Sequence, residues 1–190
     1  MDETHIGESL RQYTYADYEK MDDDNRYEII DGVIYLMSPG PGSAHQSVSI
    51  EIARQLSTFL LDKPCKVFAA PFDVCLNAAG DNDKTVVQPD IIVVCDRNKI
   101  ERKRCNGAPD MVVEILSPSS TSRDMLIKYK RYQSAGVREY WIVNPDSKIV
   151  HVCVLKDNEY ELTDHLDGGD IPVSVLEGCI IDINRVFADI

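Results

Sequence analysis

One acidic residue in an apolar run constrains this chain more than any other feature. The segment Met111-Val112-Val113-Glu114-Ile115-Leu116 is branched and apolar except at Glu114. A run of that kind reads as a strand buried on both faces, as in the centre of an α/β sheet. Residues 86–95 form a second such run. On a strand, Glu114 shares a face with Val112 and Leu116. An ionised carboxylate buried there costs several kcal/mol unless a cation or a hydrogen-bond donor meets it. The fold therefore has to deliver a metal ion, a lysine or backbone amides to that point.

The rest of the chain supplies a frame for these two strands. Residues 27–30 and 33–37 read as a hairpin turned by Asp31-Gly32. A helix follows, with Ser43 and Gln46 as a capping box and Val48, Ile52, Leu56, Phe59 and Leu60 on one stripe. Residues 67–76 read as a strand bent at Pro71, or lying at a sheet edge. A second helix over 124–135 ends at Gly136. Strands over 139–143 and 149–155 flank an Asn144-Pro145-Asp146-Ser147 turn, and short β-like pieces follow. The predicted class is α/β (α+β), a central mixed sheet flanked by helices. With 190 residues, 44% of them hydrophobic, one domain over 13–190 is expected after a loose stretch at 1–12. The apolar runs are too short to span a membrane, and no signal peptide opens the chain. Six cysteines without metal-binding spacing read as free, mostly buried thiols of a cytoplasmic protein.

The net charge of -12 is a poor footprint for non-specific nucleic-acid binding. Its distribution is uneven. Residues 1–31 and 146–190 each carry a net of -7, and residues 97–138 carry +6. The basic middle faces an anion, or it is an ordinary part of a mixed surface.

Asp90, straight after Pro89 at the mouth of Ile91-Ile92-Val93-Val94, is the natural companion of Glu114. Two carboxylates from adjacent buried strands can converge on one divalent cation, and hard oxygen donors suit Mg²⁺ or Mn²⁺. Asp110 is the rival. It precedes Glu114 by four residues on one strand, about 13 Å away, too far to share an ion.

Pro89-Asp90 followed by an acid on the next apolar strand resembles the PD-(D/E)XK pattern of restriction-endonuclease-like nucleases, with Leu116 where that pattern has lysine. A longer string is more specific. It runs through Arg26-Tyr27-Glu28-Ile29-Ile30-Asp31-Gly32, Met37-Ser38-Pro39, His45-Gln46, Gln88-Pro89-Asp90 and residues 109–119, and closes with Lys128-Tyr129 and residues 135–143. Together these resemble the Uma-type family of restriction endonucleases, over roughly residues 13–155.

The resemblance implies a restriction-endonuclease-like core and a Mg²⁺- or Mn²⁺-dependent endonuclease acting on DNA. Asp90 and Glu114 would hold the metal, with the Ile115 carbonyl as a third ligand. Glu28 would complete the acidic cluster, or be a solvated edge-strand acid. Lys128 would replace the missing lysine from the helix, or form a plain surface pair with Asp124. His45, near a helix amino end, would help to seat a phosphate. Arg102, Lys103 and Arg104 would contact a nucleic-acid backbone, or be a solvated loop. Tyr132, Tyr140 and Trp141 read as core aromatics. A homodimer is plausible, with the strand over 149–155 as a pairing edge. The competing readings are a binding or assembly module that has kept the fold without catalysis, and a hydrolase of a small phosphoester. The first of these rests on Leu116 and the acidic charge, and the direction of the Lys128 ammonium discriminates it from the enzyme.

Overall fold

The computed structural model describes residues 11–190 apart from 24, 38, 39, 41, 118–121 and 167, and the backbone alone at 122–124. The expected loose stretch at 1–12 therefore lies almost wholly outside the described residues.

Helix α1 (Tyr15–Tyr18) is capped at Thr14, whose backbone N–H and hydroxyl both donate to Asp17. Strands β1 (Tyr27–Ile30) and β2 (Val33–Leu36) form the predicted hairpin. Asp31 and Gly32 both have positive φ, 53° and 78°, as a tight hairpin turn requires. A side chain at Gly32 would also press within 2.9 Å of Gln12 Cβ. Helix α2 (Ser43–Phe59) buries Val48, Ile52 and Leu56 as the stripe predicts. Its start differs from expectation. Gly42 is the N-cap and no side chain caps the helix, so Ser43 and Gln46 lie within it and the capping box is not formed.

Strands β3 (Lys66–Ala69), β4 (Asp73–Cys75), β5 (Val86–Val87) and β6 (Ile91–Val94) are two long antiparallel strands, each bent once. The bends fall at Pro71 and at Gln88-Pro89-Asp90, where proline interrupts the ladder. Each strand thus passes from one sheet to another, and Ala70 N–H bonding to the Asp90 carbonyl at 2.9 Å holds the corner together. Strand β7 (Arg104–Asn106) runs parallel to β4. Strand β8 (Met111–Ile115) leads to helix α3 (Ser122–Ala135), which stops at Gly136 (φ 83°). Then come β9 (Glu139–Asn144), β10 (Ile149–Lys156), β11 (Glu159–His165), β12 (Asp170–Pro172), β13 (Ile180–Asp182) and α4 (Ile183–Val186).

The large mixed sheet has the order β11-β10-β9-β8-β6-β3, with β8 and β9 parallel. A second sheet has the order β2-β1-β5-β4-β7. Strands β6 and β8 sit inside the large sheet, and their side chains alternate between two cores. Ile91, Val93, Met111, Val113 and Ile115 face α2 and the C-terminal segment, whereas Ile92, Val94 and Val112 face α3 and the second sheet. Glu114 has the parity of Val112 and so faces α3. At the other end of the sheet, Glu139 is wholly buried and receives the Trp141 indole N–H at 2.7 Å and the Val175 N–H at 2.9 Å.

Two expectations are corrected. Strand β10 is flanked by β9 and β11, so it offers no free edge for pairing; the outer strands are β11 and β3. The thiols are not all free either. Cys65 and Cys95 form a disulfide, while Cys75, Cys105, Cys153 and Cys179 are free and buried. The register Lys66↔Val94 carried one step on sets Cys65 opposite Cys95, a juxtaposition that sequence spacing does not reveal. A reducing compartment inferred from free thiols loses that part of its support. Among the described residues no helix is long and apolar enough to cross a membrane.

Ile52 and Ile50 lie on opposite sides of α2, at 0% and 67% exposure. Ile52→Ala is expected to lower unfolding stability by about 2–5 kcal/mol, and Ile50→Ala by less than about 0.5 kcal/mol, measured by urea denaturation.

Candidate functional site

The register of the large sheet builds the site. Ile91 pairs with Val113 across the antiparallel β6–β8 ladder, so the next position sets Asp90 opposite Glu114. Both side chains line one open cleft of about 570 Å³, between the β1–β2 hairpin, α2 and α3. Asp90 Oδ2 accepts the Ile115 N–H at 2.7 Å, which ties the carboxylate to the end of β8. Glu28 enters from β1. Its Oε1 accepts the Gln88 N–H at 2.9 Å, beside the same corner.

Lys128 answers the problem posed by Glu114. It sits on α3, and its Nζ donates to Glu28 Oε1 at 2.8 Å and to Glu114 Oε1 at 3.0 Å. The ammonium therefore points into the cleft. The side chain of Asp124, the rival partner, lies outside the described residues. One helical turn beyond Lys128, the Tyr132 hydroxyl donates to the same Glu114 oxygen at 2.6 Å.

Two carboxylates thus share one lysine, and a third, Asp90, stands beside them with His45 as its partner. Burial pushes the Glu114 carboxyl up to about 7; Lys128 opposes this, and the charges of Asp90 and Glu28 add to it. Burial alone would lower the Lys128 pKa, but Glu114 and Glu28 more than reverse that, and the ammonium is held firmly charged. His45, in the first turn of α2, sets Nε2 3.2 Å from Asp90 Oδ2. Burial draws its pKa down, and Asp90, the Ile115 carbonyl and Glu114 together outweigh this and raise it. Among the described residues its Nδ1 is buried without a hydrogen-bond partner.

Glu28, His45, Asp90, Glu114 and Lys128 are therefore brought together. Arg102, Lys103 and Arg104 are not; they lie at or beside β7, on the far side of the second sheet, and do not line the cleft. Lys103 pairs with Glu19 at 2.7 Å, and Arg104 with Asp81 and Glu101 at 2.8 Å each. Asp110 is also elsewhere, held by Arg138 at 2.5 Å and by the Cys95 N–H at 2.6 Å.

Sequence reasoning missed two residues of this arrangement. Tyr132 reads as core, yet its spacing of four from Lys128 puts both on one helix face, and that was the available signal. Gln88 gives its N–H to Glu28 while its side chain is fully engaged. The Arg26 guanidinium donates to its Oε1 at 2.7 Å, and its Nε2 donates to Asp73 at 2.7 Å and to the Tyr18 hydroxyl at 2.8 Å. No local pattern marks that role. Among the described residues, no three His, Cys, Asp or Glu side chains form a group that by itself could hold a metal ion.

The family model for Uma2, described as "Putative restriction endonuclease", matches residues 14–184. The chain belongs to the Uma2 family. Uncharacterized protein slr1290 of Synechocystis sp. (strain PCC 6803) is 24% identical over 156 residues, covering 78% of this chain and 80% of that protein. The crystal structure of a putative nuclease belonging to DUF820, from Anabaena variabilis ATCC 29413, aligns with a TM-score of 0.72 and 22% identity. That alignment covers 93% of this chain and 98% of the other, and it shows the fold the two share. In this Uma2 chain, the residues quoted for the resemblance at 28, 45, 90, 114 and 128 are those that meet in the cleft.

The pH dependence of folding tests the electrostatics. The folded state holds a proton on Glu114 up to about pH 7, whereas an ordinary glutamate loses it near 4.5. This group's contribution to stability is then full below about 4.5 and is lost as pH rises through about 7. Glu114→Gln should gain melting temperature relative to the parent between pH 5 and pH 8 in EDTA. A constant difference across that range would show that Glu114 titrates normally.

Proposed function

We propose that the protein is an endonuclease that hydrolyses phosphodiester bonds in DNA, with Mg²⁺ or Mn²⁺ held by Asp90 and Glu114. The observation that carries this reading is the meeting of Glu28, Asp90, Glu114 and Lys128, from four separate elements, in one open cleft. Glu28 and Asp90 are met by Lys128 and His45, and a divalent cation would let the third acid, Glu114, stand ionised beside them. The donors suit a hard ion: two carboxylates and the Ile115 carbonyl, all oxygen. Mg²⁺ commonly takes only one or two carboxylates and keeps several waters, so a third acidic ligand is not required. When bound, the ion supplies polarisation of the phosphate and a lowered pKa for a coordinated water.

The chain's own residues divide the remaining work. Lys128 brings an ammonium into the cleft from α3, where it can orient a water or meet charge that develops on a phosphate oxygen. This offsets Leu116 at the motif's lysine position and favours the enzyme over the non-catalytic module. Glu28 accepts from Nζ alongside Glu114 and so helps to fix the ammonium. Tyr132 holds Glu114 in one rotamer. His45 places a ring N–H at Asp90 and at the edge where a phosphate would arrive.

Purified protein should nick or cut DNA with Mg²⁺ or Mn²⁺ but not with EDTA. Asp90→Asn and Lys128→Met should each lower the rate at least about a hundredfold, the size of effect that follows loss of one transition-state donor. Cleavage surviving Asp90→Asn would remove the assignment. A second readout does not need turnover. Mg²⁺ should raise the melting temperature more at pH 8 than at pH 5, because protons and the ion compete for the same carboxylates. No difference between the two pH values would argue against Asp90 and Glu114 as ligands.

A further inference from the structure

The walls of the cleft differ in character from its floor. Leu36 on β2 and Ile50 on α2 are 65% and 67% exposed, and both line the cleft that holds the carboxylates. Met37, Tyr35, Leu116 and Met125 continue this apolar lining. Large exposed apolar residues gathered at the mouth of a polar site mark a contact surface rather than chance exposure.

The cations point the same way. Among the described residues, only Arg26 and Lys128 of the arginines and lysines line the cleft, and both already donate to protein acceptors. Elsewhere Arg54, Lys103, Arg104, Arg131, Arg138 and Lys156 are tied to carboxylates. A duplex offers a protein mainly phosphates, and binding it means neutralising several of them. Within the cleft, among the described residues, little is available for that. An unpaired strand carries phosphates too, but it also exposes the faces of its bases, and apolar area buried against them contributes without further cations. The cleft volume, about 570 Å³, falls within the range of about 300–1,000 Å³ typical of sites that enclose a drug-sized ligand. A single nucleotide is of that size.

We propose that the cleft takes nucleic acid as an unpaired strand, with a phosphate at Asp90 and Glu114 and the adjoining bases laid on Leu36, Met37 and Ile50. The inference rests on the nuclease reading for the phosphate position, and on the apolar wall for the choice of strand. It places specificity in base faces rather than in sequence-reading hydrogen bonds, so cleavage should favour single-stranded, frayed or looped substrates.

The test uses the full chain carrying Asp90→Asn, in Mg²⁺, titrated against three labelled probes: a 15-nucleotide single strand, the same strand with its complement, and the same backbone with abasic sites. By fluorescence anisotropy the single strand should bind at least about tenfold more tightly than the duplex, and the abasic strand should lose that advantage. Adding Leu36→Ser and Ile50→Ser should weaken single-strand binding about tenfold and leave duplex binding unchanged. Both positions are exposed, so an unchanged melting temperature is expected and separates contact from folding. Equal or tighter binding of the duplex overturns the proposal, as does an unaltered single-strand affinity in the double variant. Sedimentation showing that the double variant dissolves a dimer without altering strand binding also overturns it, since the wall would then belong to a second copy. The unsubstituted protein distinguishes the two readings. Preferential cleavage of duplex keeps the nuclease and sinks this inference; base-dependent binding of the single strand without cleavage of any substrate keeps the platform and sinks the nuclease.

Discussion

The carboxyl group of Glu114, in the interior of a β-sheet, is the constraint around which this molecule is arranged. The carboxylate is nearly enclosed, with 15% of its side chain exposed, and it is met by two donors, the Lys128 ammonium and the Tyr132 hydroxyl. Removing either donor alone would leave the acid buried and partly unsatisfied, a cost of a few kcal/mol. The same group explains why α3 must dock where it does, since both donors come from that helix. Glu28 accepts from the same ammonium, and the third acid, Asp90, has His45 as its partner.

Backbone geometry does as much as side-chain chemistry. Two prolines bend a long strand pair, and the bend puts Asp90 at the end of β6 instead of in its middle. The antiparallel register then presents Asp90 to Glu114 from the adjacent strand. Gln88, in the same corner, serves both sheets: its amide N–H fixes Glu28, and its side chain ties Arg26 to Asp73 and Tyr18. Burial raises the Asp73 pKa, and the donors from Gln88 and Tyr18 oppose this. The corner is thus a hydrogen-bonded support behind the cleft, built from residues that do not stand out in the sequence.

Much of this was legible in advance, where a local signal existed. The Asp31-Gly32 turn, the stripe of α2, the stop at Gly136 and the two interior strands all follow from turn chemistry and periodicity. Asp90 and Glu114 were legible because each is an acid at or within an apolar run, and Lys128 only through the resemblance, whose lysine position is occupied by Leu116. What escaped depends on register and on distant pairings. The Cys65–Cys95 bond needs the β3–β6 alignment. The edge assigned to β10 failed because β11, predicted only as short pieces, is a full strand of seven residues. The basic stretch at 102–104 looked like an anion site because the acids that neutralise Lys103 and Arg104 lie mostly far away in sequence, at 19 and 81 as well as 101. The capping box at Ser43 failed because the helix begins one residue earlier than its side chains suggest.

Lys128 and Tyr132 reach one oxygen of Glu114 from successive turns of a single helix. Their grips are not independent, because a small roll or slide of α3 releases both together. The two donors to Glu114 are consequently seated or lost as a pair, while Glu28 and Asp90 keep their own backbone anchors at Gln88 and Ile115. The docking of α3 on the sheet therefore governs how Glu114 is held, at a distance from that carboxylate.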